Sequence, residues 1–543
     1  MRPTRPCVTS AQGRRGARGS RSTSSPWRSS SRARRTRSPW WSDCAAITTC
    51  TTSRRTSSAF RHRSSGANAS MSTLRTPDVL AAGRWWSGDQ LDTMARVWRA
   101  AVVERFGESD RLIAAAVGAS PESVALFTAL TSLPSPAVLL PPDARAWRTE
   151  PAIPIGTPVA LMPAMASLAP EAERFGLIPF VLPDASTCSV GGAPLRPLDG
   201  PGVVVFTSGS TGLPKPVFVK SERLRRAGSA RARAVGLGRE AGALIGSSPA
   251  HGQGLQYLGA VLASGCPLGF LDPRDHRLAL DALARPMFRC WRATAHLVEA
   301  VSRCVLTGPA IVPPFCILGA PISPSLFNAF QDRFGVPLRQ GYSSTETALV
   351  AVDNGPPADV RPDTVGRPFP GVEVCFGEHP EKPEPAGEIG RIWIRSSWQM
   401  AGYGFPPHVE RPGDVDGWWP TRDLGTMTAD GRLKLAGRLD DAVRTRDNRV
   451  VNLEAVATHL REIPFIVEAV VVPLDTASGR SFGAVVECAP SLSVDVIRGK
   501  LADSLPPWSW PRVVKIVPAL PRLANGKADR RACETLLGQE RPT

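Results

Sequence analysis

No cysteine in this sequence belongs to a Cys-x-x-Cys pair, and the eleven cysteines lie scattered through 543 residues. That excludes the paired spacing of a zinc site and the framework of a small disulfide-stapled domain, and it leads us to expect a reducing compartment. No apolar run approaches the roughly 18 residues of a membrane-spanning helix. No apolar core of a secretory signal is present either. A cytoplasmic protein without a membrane span is therefore expected. The chain also lacks internal repeats.

A second absence is local. Residues 1–70 contain no Leu, Lys, Glu or Tyr, and they hold fifteen Arg against a single acid, Asp43. Such a segment cannot bury a core. It carries nearly all of the net charge of +17, so the body of the chain is close to neutral. Three readings of this leader compete. A basic nucleic-acid arm lacks Lys and interleaved stacking aromatics, and a transit peptide lacks an amphipathic stripe. The third is a stretch outside the translated frame, with protein-like sequence starting at Met71. We therefore expect a leader over 1–70 that is disordered or not translated, and no nucleic-acid partner.

From Met71 onward, helical periodicity alternates with short apolar runs. Residues 89–105 read as an amphipathic helix, and PSPAVLLPPD, TPVALMPA, LIPFVLPD and GVVVFTSG as strands bounded by Pro and Gly. Alternation of this kind predicts α/β layers. Near residue 437 the pattern changes. A strand, a turn and a helix with Leu453, Val456, Ala457 and Leu460 on one face are predicted there, with Asn452 as cap. FIVEAVVVPL, SFGAVVECAP and PRVVKIVPAL then read as three strands with one helix between the last two. Two folded domains are expected, 71–436 and 437–543, with the boundary at residues 437–441.

The stretch VVVFTSGSTGLPKPVFVK carries the first chemical signal. Its apolar start reads as a buried strand feeding a loop in which glycines bare backbone N–H groups. Ser208, Ser210 and Thr211 add hydroxyls, and Lys215 adds a charge. This composition suits phosphate. The spacing differs from a Walker loop, since no Ser or Thr follows the lysine.

Further motifs follow in order: PAHGQGL with His251, ILGAPISPSL with Gly319, Ala320 and Pro321, and RQGYSSTET with Tyr342, Thr345 and Glu346. Then come GRPFPGVEV, GEIGRIWIRSSWQMAGYG, DGWWPTRDLG with Asp423, GRLDDAVR with Arg438 and Asp440, and PRLANGKADR with Lys527. In order and wording they resemble the adenylate-forming superfamily: acyl- and aryl-CoA synthetases, peptide-synthetase adenylation domains and luciferases. The resemblance runs from about residue 120 to 532. It implies a large α/β N-terminal domain and a small mobile α+β C-terminal domain.

The resemblance also implies chemistry. A carboxylate attacks the α-phosphate of ATP, pyrophosphate leaves, and a thiol displaces AMP from the acyl-adenylate. ATP, Mg²⁺ and coenzyme A or phosphopantetheine are the implied cofactors, and CoA or an acyl or aryl carrier protein the partner. Thr207, Ser208, Gly209, Ser210, Thr211, Gly212 and Lys215 would cradle the β- and γ-phosphates. Thr345 would meet the α-phosphate, and Glu346 would hold Mg²⁺, a hard cation that takes oxygen ligands. Tyr342 would stack on adenine, with Gly319, Ala320 and Pro321 on its other side, while Asp423 and Arg438 would bind ribose. His251 would gate the acyl pocket, Lys527 would serve adenylation, and Asp440 would be the hinge.

Several positions depart from the family pattern. Ser343 replaces the glycine of YGxTE, and Arg422 stands before Asp423 where glycine is usual. Arg444 and Asp447 replace the lysine and glycine of the KxxG that lines the thiol tunnel. Arg444, Arg446 and Arg449 would lie at the tunnel mouth and suit an anionic acceptor. Gly252 stands where amino-acid-activating relatives hold an aspartate for the substrate ammonium, so an aryl or fatty acid is expected. Gln253 and Gln340 would offer a hydrogen bond to a ring hydroxyl, as in a hydroxybenzoate. A stand-alone amino-acid adenylation enzyme and a non-catalytic nucleotide-binding homologue remain as alternatives.

Overall fold

Two large sheets organise the chain, each built on a run of adjacent parallel strands. The computed structural model describes residues 74–538 apart from 144–146, 148–152, 187–194, 208–213, 273–274, 304–310, 321, 440–441, 445–449, 477–478, 489–491 and 523–527. Met71–Thr543 forms one compact unit, and all that follows concerns it.

The first sheet has eight strands. Ala137–Leu140, Ile113–Ala116, Pro158–Leu161 and Ile178–Val181 run parallel with Gly202–Phe206. The sheet is finished by antiparallel pairing of Gly202–Phe206 with Pro216–Lys220, and of that strand with Gly402–Phe405. The second sheet has nine strands, with Gly242–Ile245, Phe288–Ala293, Phe315–Leu318 and Leu338–Ser344 parallel at its centre. Continuous apolar runs such as 203–206 and 137–140 are fully buried, as parallel strands covered on both faces must be.

Two helices, Ser221–Val235 and Gly252–Ser264, pack on each other between these sheets. Glycines set their approach. A β-carbon on Gly228 would lie 2.3 Å from the carbonyl oxygen of Gly259, and one on Gly259 would lie 2.8 Å from Leu224. Gly228 admits no side chain without moving backbone, whereas one on Gly259 would press on the Leu224 side chain.

A four-stranded antiparallel sheet follows, built from Val372–Phe376, Gly390–Ser396, Trp419–Met427 and Leu433–Arg438. Behind it lies a buried ion pair in which Arg432 Nη1 meets Asp353 Oδ2 at 2.8 Å, with both side chains almost wholly covered.

The C-terminal region builds its own core. The apolar clusters around Leu460, Val471 and Ile497 and around Val472, Val485 and Leu537 contain no residue before Val443. The three expected strands appear as Ile466–Thr476, Gly479–Cys488 and Val513–Val517, with the helix Val494–Ser504 between the last two. Asn452 caps the helix Leu453–Glu462, its Oδ1 accepting from Glu454 N at 2.9 Å and Ala455 N at 3.2 Å. Leu453, Val456, Ala457 and Leu460 are buried. The sequence reading missed a small hairpin before this helix, Ala442–Arg444 with Val450–Asn452, and a final helix, Arg530–Gly538. Among the described residues no helix is long and apolar enough to cross a membrane.

Candidate active site

The Gly/Ser-rich loop is the tip of a β-hairpin, because the strand it leaves and the strand it enters are antiparallel neighbours, with Phe206 opposite Pro216. Its neck is closed twice. Thr207 N donates to the Lys215 carbonyl at 3.0 Å, and Lys215 N donates to Thr207 Oγ1 at 3.2 Å. Ser208, Gly209, Ser210, Thr211 and Gly212 lie outside the described residues.

Lys215 reaches from this neck toward an aromatic residue that the sequence reading left without a role. Its Nζ sits 5.0 Å from the ring centre of Tyr403, a cation–π contact. The Tyr403 hydroxyl donates to Glu346 Oε1 at 2.9 Å. Burial, and then the Glu346 carboxylate, push this phenol above its ordinary range, so it stays a donor. Sheet pairing explains the meeting, since Tyr403 lies opposite Val217, two residues beyond Lys215. The loop and the YSSTE motif are thus joined through one ring. Glu346 also stands on a pinned segment, its carbonyl accepting from Met400 N at 2.8 Å. Arg223 Nη1 in turn holds the carbonyls of Gln399 and Met400, each at 2.7 Å.

A second cluster lies on the other side of the motif. Tyr342, buried, donates its hydroxyl to Asp423 Oδ2 at 2.5 Å. Burial and the neighbouring Asp423 carboxylate raise its pKa well above the usual phenol range. Arg438 Nε lies 3.4 Å from Asp423 Oδ1, an ion pair without hydrogen-bond alignment. Strand register produces this group as well, with Asp423 opposite Arg438. Tyr342, Asp423 and Arg438, read from three separate motifs, are therefore brought together.

The third part surrounds the start of the helix Gly252–Ser264. His251 is its N-cap residue, with extended backbone. A β-carbon on Gly252 would fall 2.4 Å from Thr345 Oγ1, so only glycine lets this turn close on the motif threonine. A cleft beside it is lined by Gly252, Leu255, Gln256, Thr345, Ala348 and Trp398, among others.

Gln340 is buried, and its amide nitrogen donates to the Pro362 carbonyl. Gln253 meets a buried arginine, Arg292, in the strand Phe288–Ala293. With its amide oxygen turned to the guanidinium, Gln253 accepts from Arg292 Nε at 3.2 Å and from Nη2. Arg292 Nη1 also donates to the carbonyls of Ala293 and, at 3.0 Å, Ile317. Burial pushes this guanidinium down to about 10, which leaves it charged at neutral pH. A β-carbon on Gly319 would lie 2.1 Å from Arg292 Nη2, so the motif glycine is what admits it. Gly319 and Ala320 are exposed, while Pro321, Asp440 and Lys527 lie outside the described residues.

Among the described residues no group of three or more His, Cys, Asp or Glu side chains could hold a metal by itself. A lone carboxylate such as Glu346 suits Mg²⁺, a hard cation that would take its other oxygens from phosphate and water. Tyr403 occupies one Glu346 oxygen and fixes the direction of the other.

The AMP-binding enzyme family matches residues 69–404 of the chain. The chain is 30% identical over 364 residues to novobiocin biosynthesis protein H of Streptomyces niveus, a match covering 64% of this chain and 59% of that protein. It is 28% identical to sulfoacetate–CoA ligase of Cupriavidus necator, over 67% of this chain and 71% of the ligase. Among solved structures, the amide bond synthetase McbA of Marinactinospora thermotolerans superposes with a TM-score of 0.73 at 26% identity. That superposition covers 86% of this chain and 97% of McbA. Five motifs in order, the contacts that bring Tyr342, Asp423 and Arg438 together from three of them, and a family match over most of the chain agree: the protein belongs to the AMP-binding enzymes of the adenylate-forming superfamily.

Proposed function

We propose that this chain activates a carboxylic acid as its acyl-adenylate at the expense of ATP, releasing pyrophosphate, and then passes the acyl group to a phosphopantetheine thiol of CoA or a carrier protein. The observation that carries the reading is the convergence of Lys215, Tyr403 and Glu346 on one side of the YSSTE motif and of Tyr342, Asp423 and Arg438 on the other. Charge grows on phosphate oxygens in such a reaction, and prepositioned cations and donors stabilise it without reorganisation. Mg²⁺ held by Glu346 would neutralise part of that charge. Thr207 and Lys215 hold the neck of the phosphate loop, Asp423 and Arg438 present ribose acceptors and donors, and Thr345 lines the reacting centre. Lys527 completes the first half-reaction and Asp440 is the hinge of a C-terminal domain over 437–543.

A second reading replaces the thiol by an amine. The similarity to an amide bond synthetase along nearly its whole length favours it, as does Asp447 in place of the tunnel glycine.

The test is ATP-dependent pyrophosphate release over aromatic, short-chain and long-chain acids, with product then sought from CoA, a phosphopantetheinylated carrier and simple amines. Acid-dependent release is expected. Its absence with every acid overturns the proposal, and release with proteinogenic amino acids alone favours the amino-acid alternative. Lys527→Ala should slow adenylation by about 10²–10³-fold, the cost of losing one prepositioned stabiliser of transition-state charge. It should still transfer acyl from a supplied adenylate.

A further inference from the structure

Between the helices and the nine-stranded sheet lies positive charge that no carboxylate of the described residues answers. Arg292 and Arg231 are 7% and 6% exposed, and neither forms an ion pair with an Asp or Glu among those residues. Arg231 donates to Gln256 Oε1 at 2.9 Å and lies 4.4 Å from the Tyr257 ring centre. Arg292 rests on two backbone carbonyls and the Gln253 amide. All of these partners are neutral. Burying a cation without an anion leaves much of its lost hydration uncompensated. Proteins keep such a cost where function requires it.

The position of Arg292 gives the cost a use. The side chain sits at the carboxyl ends of two parallel strands, Phe288–Ala293 and Phe315–Leu318, where open α/β sheets take their ligands. It lies against Gly319 and against Gln253, the residue after Gly252, whose α-carbon faces Thr345. The guanidinium therefore borders the acid side of the reaction centre. Gln256, which accepts from Arg231, also lines the neighbouring cleft and donates to the Ser344 carbonyl at 2.7 Å.

We propose that Arg292, held by Gln253 beneath Gly319, binds a second oxyanion of the acid substrate, so that the preferred acids carry a carboxylate or sulfonate distal to the carboxylate that is activated. The proposal rests on the adenylation reading above. A neutral acceptor such as a phenol offers a hydrogen bond and no charge. Gln253 takes the Nε–Nη2 edge and two carbonyls take Nη1, which leaves an outer Nη2 hydrogen, and an oxyanion that accepts it supplies the missing counter-ion. Arg231 adds a second positive charge behind it.

The experiment compares matched acids on the full chain by calorimetry at neutral pH: succinate against butyrate, terephthalate against 4-methylbenzoate, and 4-hydroxybenzoate as a phenol probe. At least one dianion should bind about tenfold or more tighter than its monoanionic partner, as expected for closing a buried charge pair. Arg292→Gln should remove most of that ratio, and Arg292→Lys should keep part of it. Equal or tighter binding of the monoanion in both pairs overturns the proposal. So does tightest binding of 4-hydroxybenzoate, or a ratio that Arg292→Gln leaves unchanged. Should the Gln variant fail to fold, the wild-type ratio and the Lys variant still decide. Pyrophosphate release with the same acids separates the two readings. A dianion preference in binding with no release from any acid sinks adenylation and leaves the subsite standing. Release from the monoanions only sinks the subsite and leaves adenylation standing.

Discussion

Arg432 and Arg292 are both buried arginines of one compact unit, and the chain treats them in opposite ways. Arg432 lies behind the four-stranded sheet with Asp353 at 2.8 Å and Asp430 at 2.9 Å, two carboxylates for one guanidinium. Arg292, beside the reaction centre, has carbonyls and an amide. In the first region the charge is settled within the fold, and the pair locks the end of the strand Ala348–Val352 to the hairpin that carries Asp423 and Arg438. In the second region the charge is left to be settled by something that arrives.

The largest effect that would test this contrast is on stability. Asp353→Ala leaves Arg432 buried without its inner partner, and about 3–5 kcal/mol of unfolding free energy should be lost. Chemical denaturation measures it, and a loss below about 1 kcal/mol, the range of an exposed pair, would remove Arg432 from the structural side of the comparison. A middle effect belongs to the residue that joins the loop to the YSSTE motif. Tyr403→Phe keeps the ring under Lys215 and deletes the hydroxyl that orients Glu346, so the Mg²⁺ requirement for pyrophosphate release should rise about 10–100-fold. A magnesium titration of both proteins reads this directly, and an unchanged half-saturation would show that Glu346 needs no such support. The smallest effect is the sharpest. Arg292→Gln, melted without any acid present, should lose no more than about 1–3 kcal/mol, because no anion is orphaned and only the Ala293 and Ile317 carbonyls and the Gln253 amide lose a donor. A destabilisation as large as that of Asp353→Ala would make Arg292 structural too.

Local features of this protein were legible in its sequence, while long-range pairings were not. The apolar strands, the helix over 88–106 and the Asn452 cap follow from periodicity and from the chemistry of a helix end, both short in range. The order of motifs was enough to name Tyr342, Asp423 and Arg438 together, and strand register delivers their contact. Tyr403 stood in a quoted motif without a role, because its partners lie 57 and 188 residues away and meet it only through pairing of Gly402–Phe405 with Pro216–Lys220. Gln340, given a substrate role from its motif alone, has its amide nitrogen on the Pro362 carbonyl, a partner 22 residues away that no local pattern announces. The strand FRCWRA did carry one usable sign, an arginine within the buried run Cys290–Ala293. Such a residue must find partners, and those it finds are neutral: the Ala293 and Ile317 carbonyls and the Gln253 amide.

The glycine contact between the two central helices has a consequence for how this protein could change. Gly228 and Gly259 touch through backbone, well along their helices from the catalytic motifs. Yet the helix that carries Gly259 also carries Gln253 and Gln256, and its first turn rests on Thr345. The width of the acid-binding space is thus held at a distance, by the thickness of two residues without side chains. A methyl group at Gly228 would act as a shim against the Gly259 backbone, displacing the polar lining as a body while Gln253, Gln256 and Thr345 keep their identity. New acids come within reach of such a lineage by adjusting a spacer before any change of chemistry.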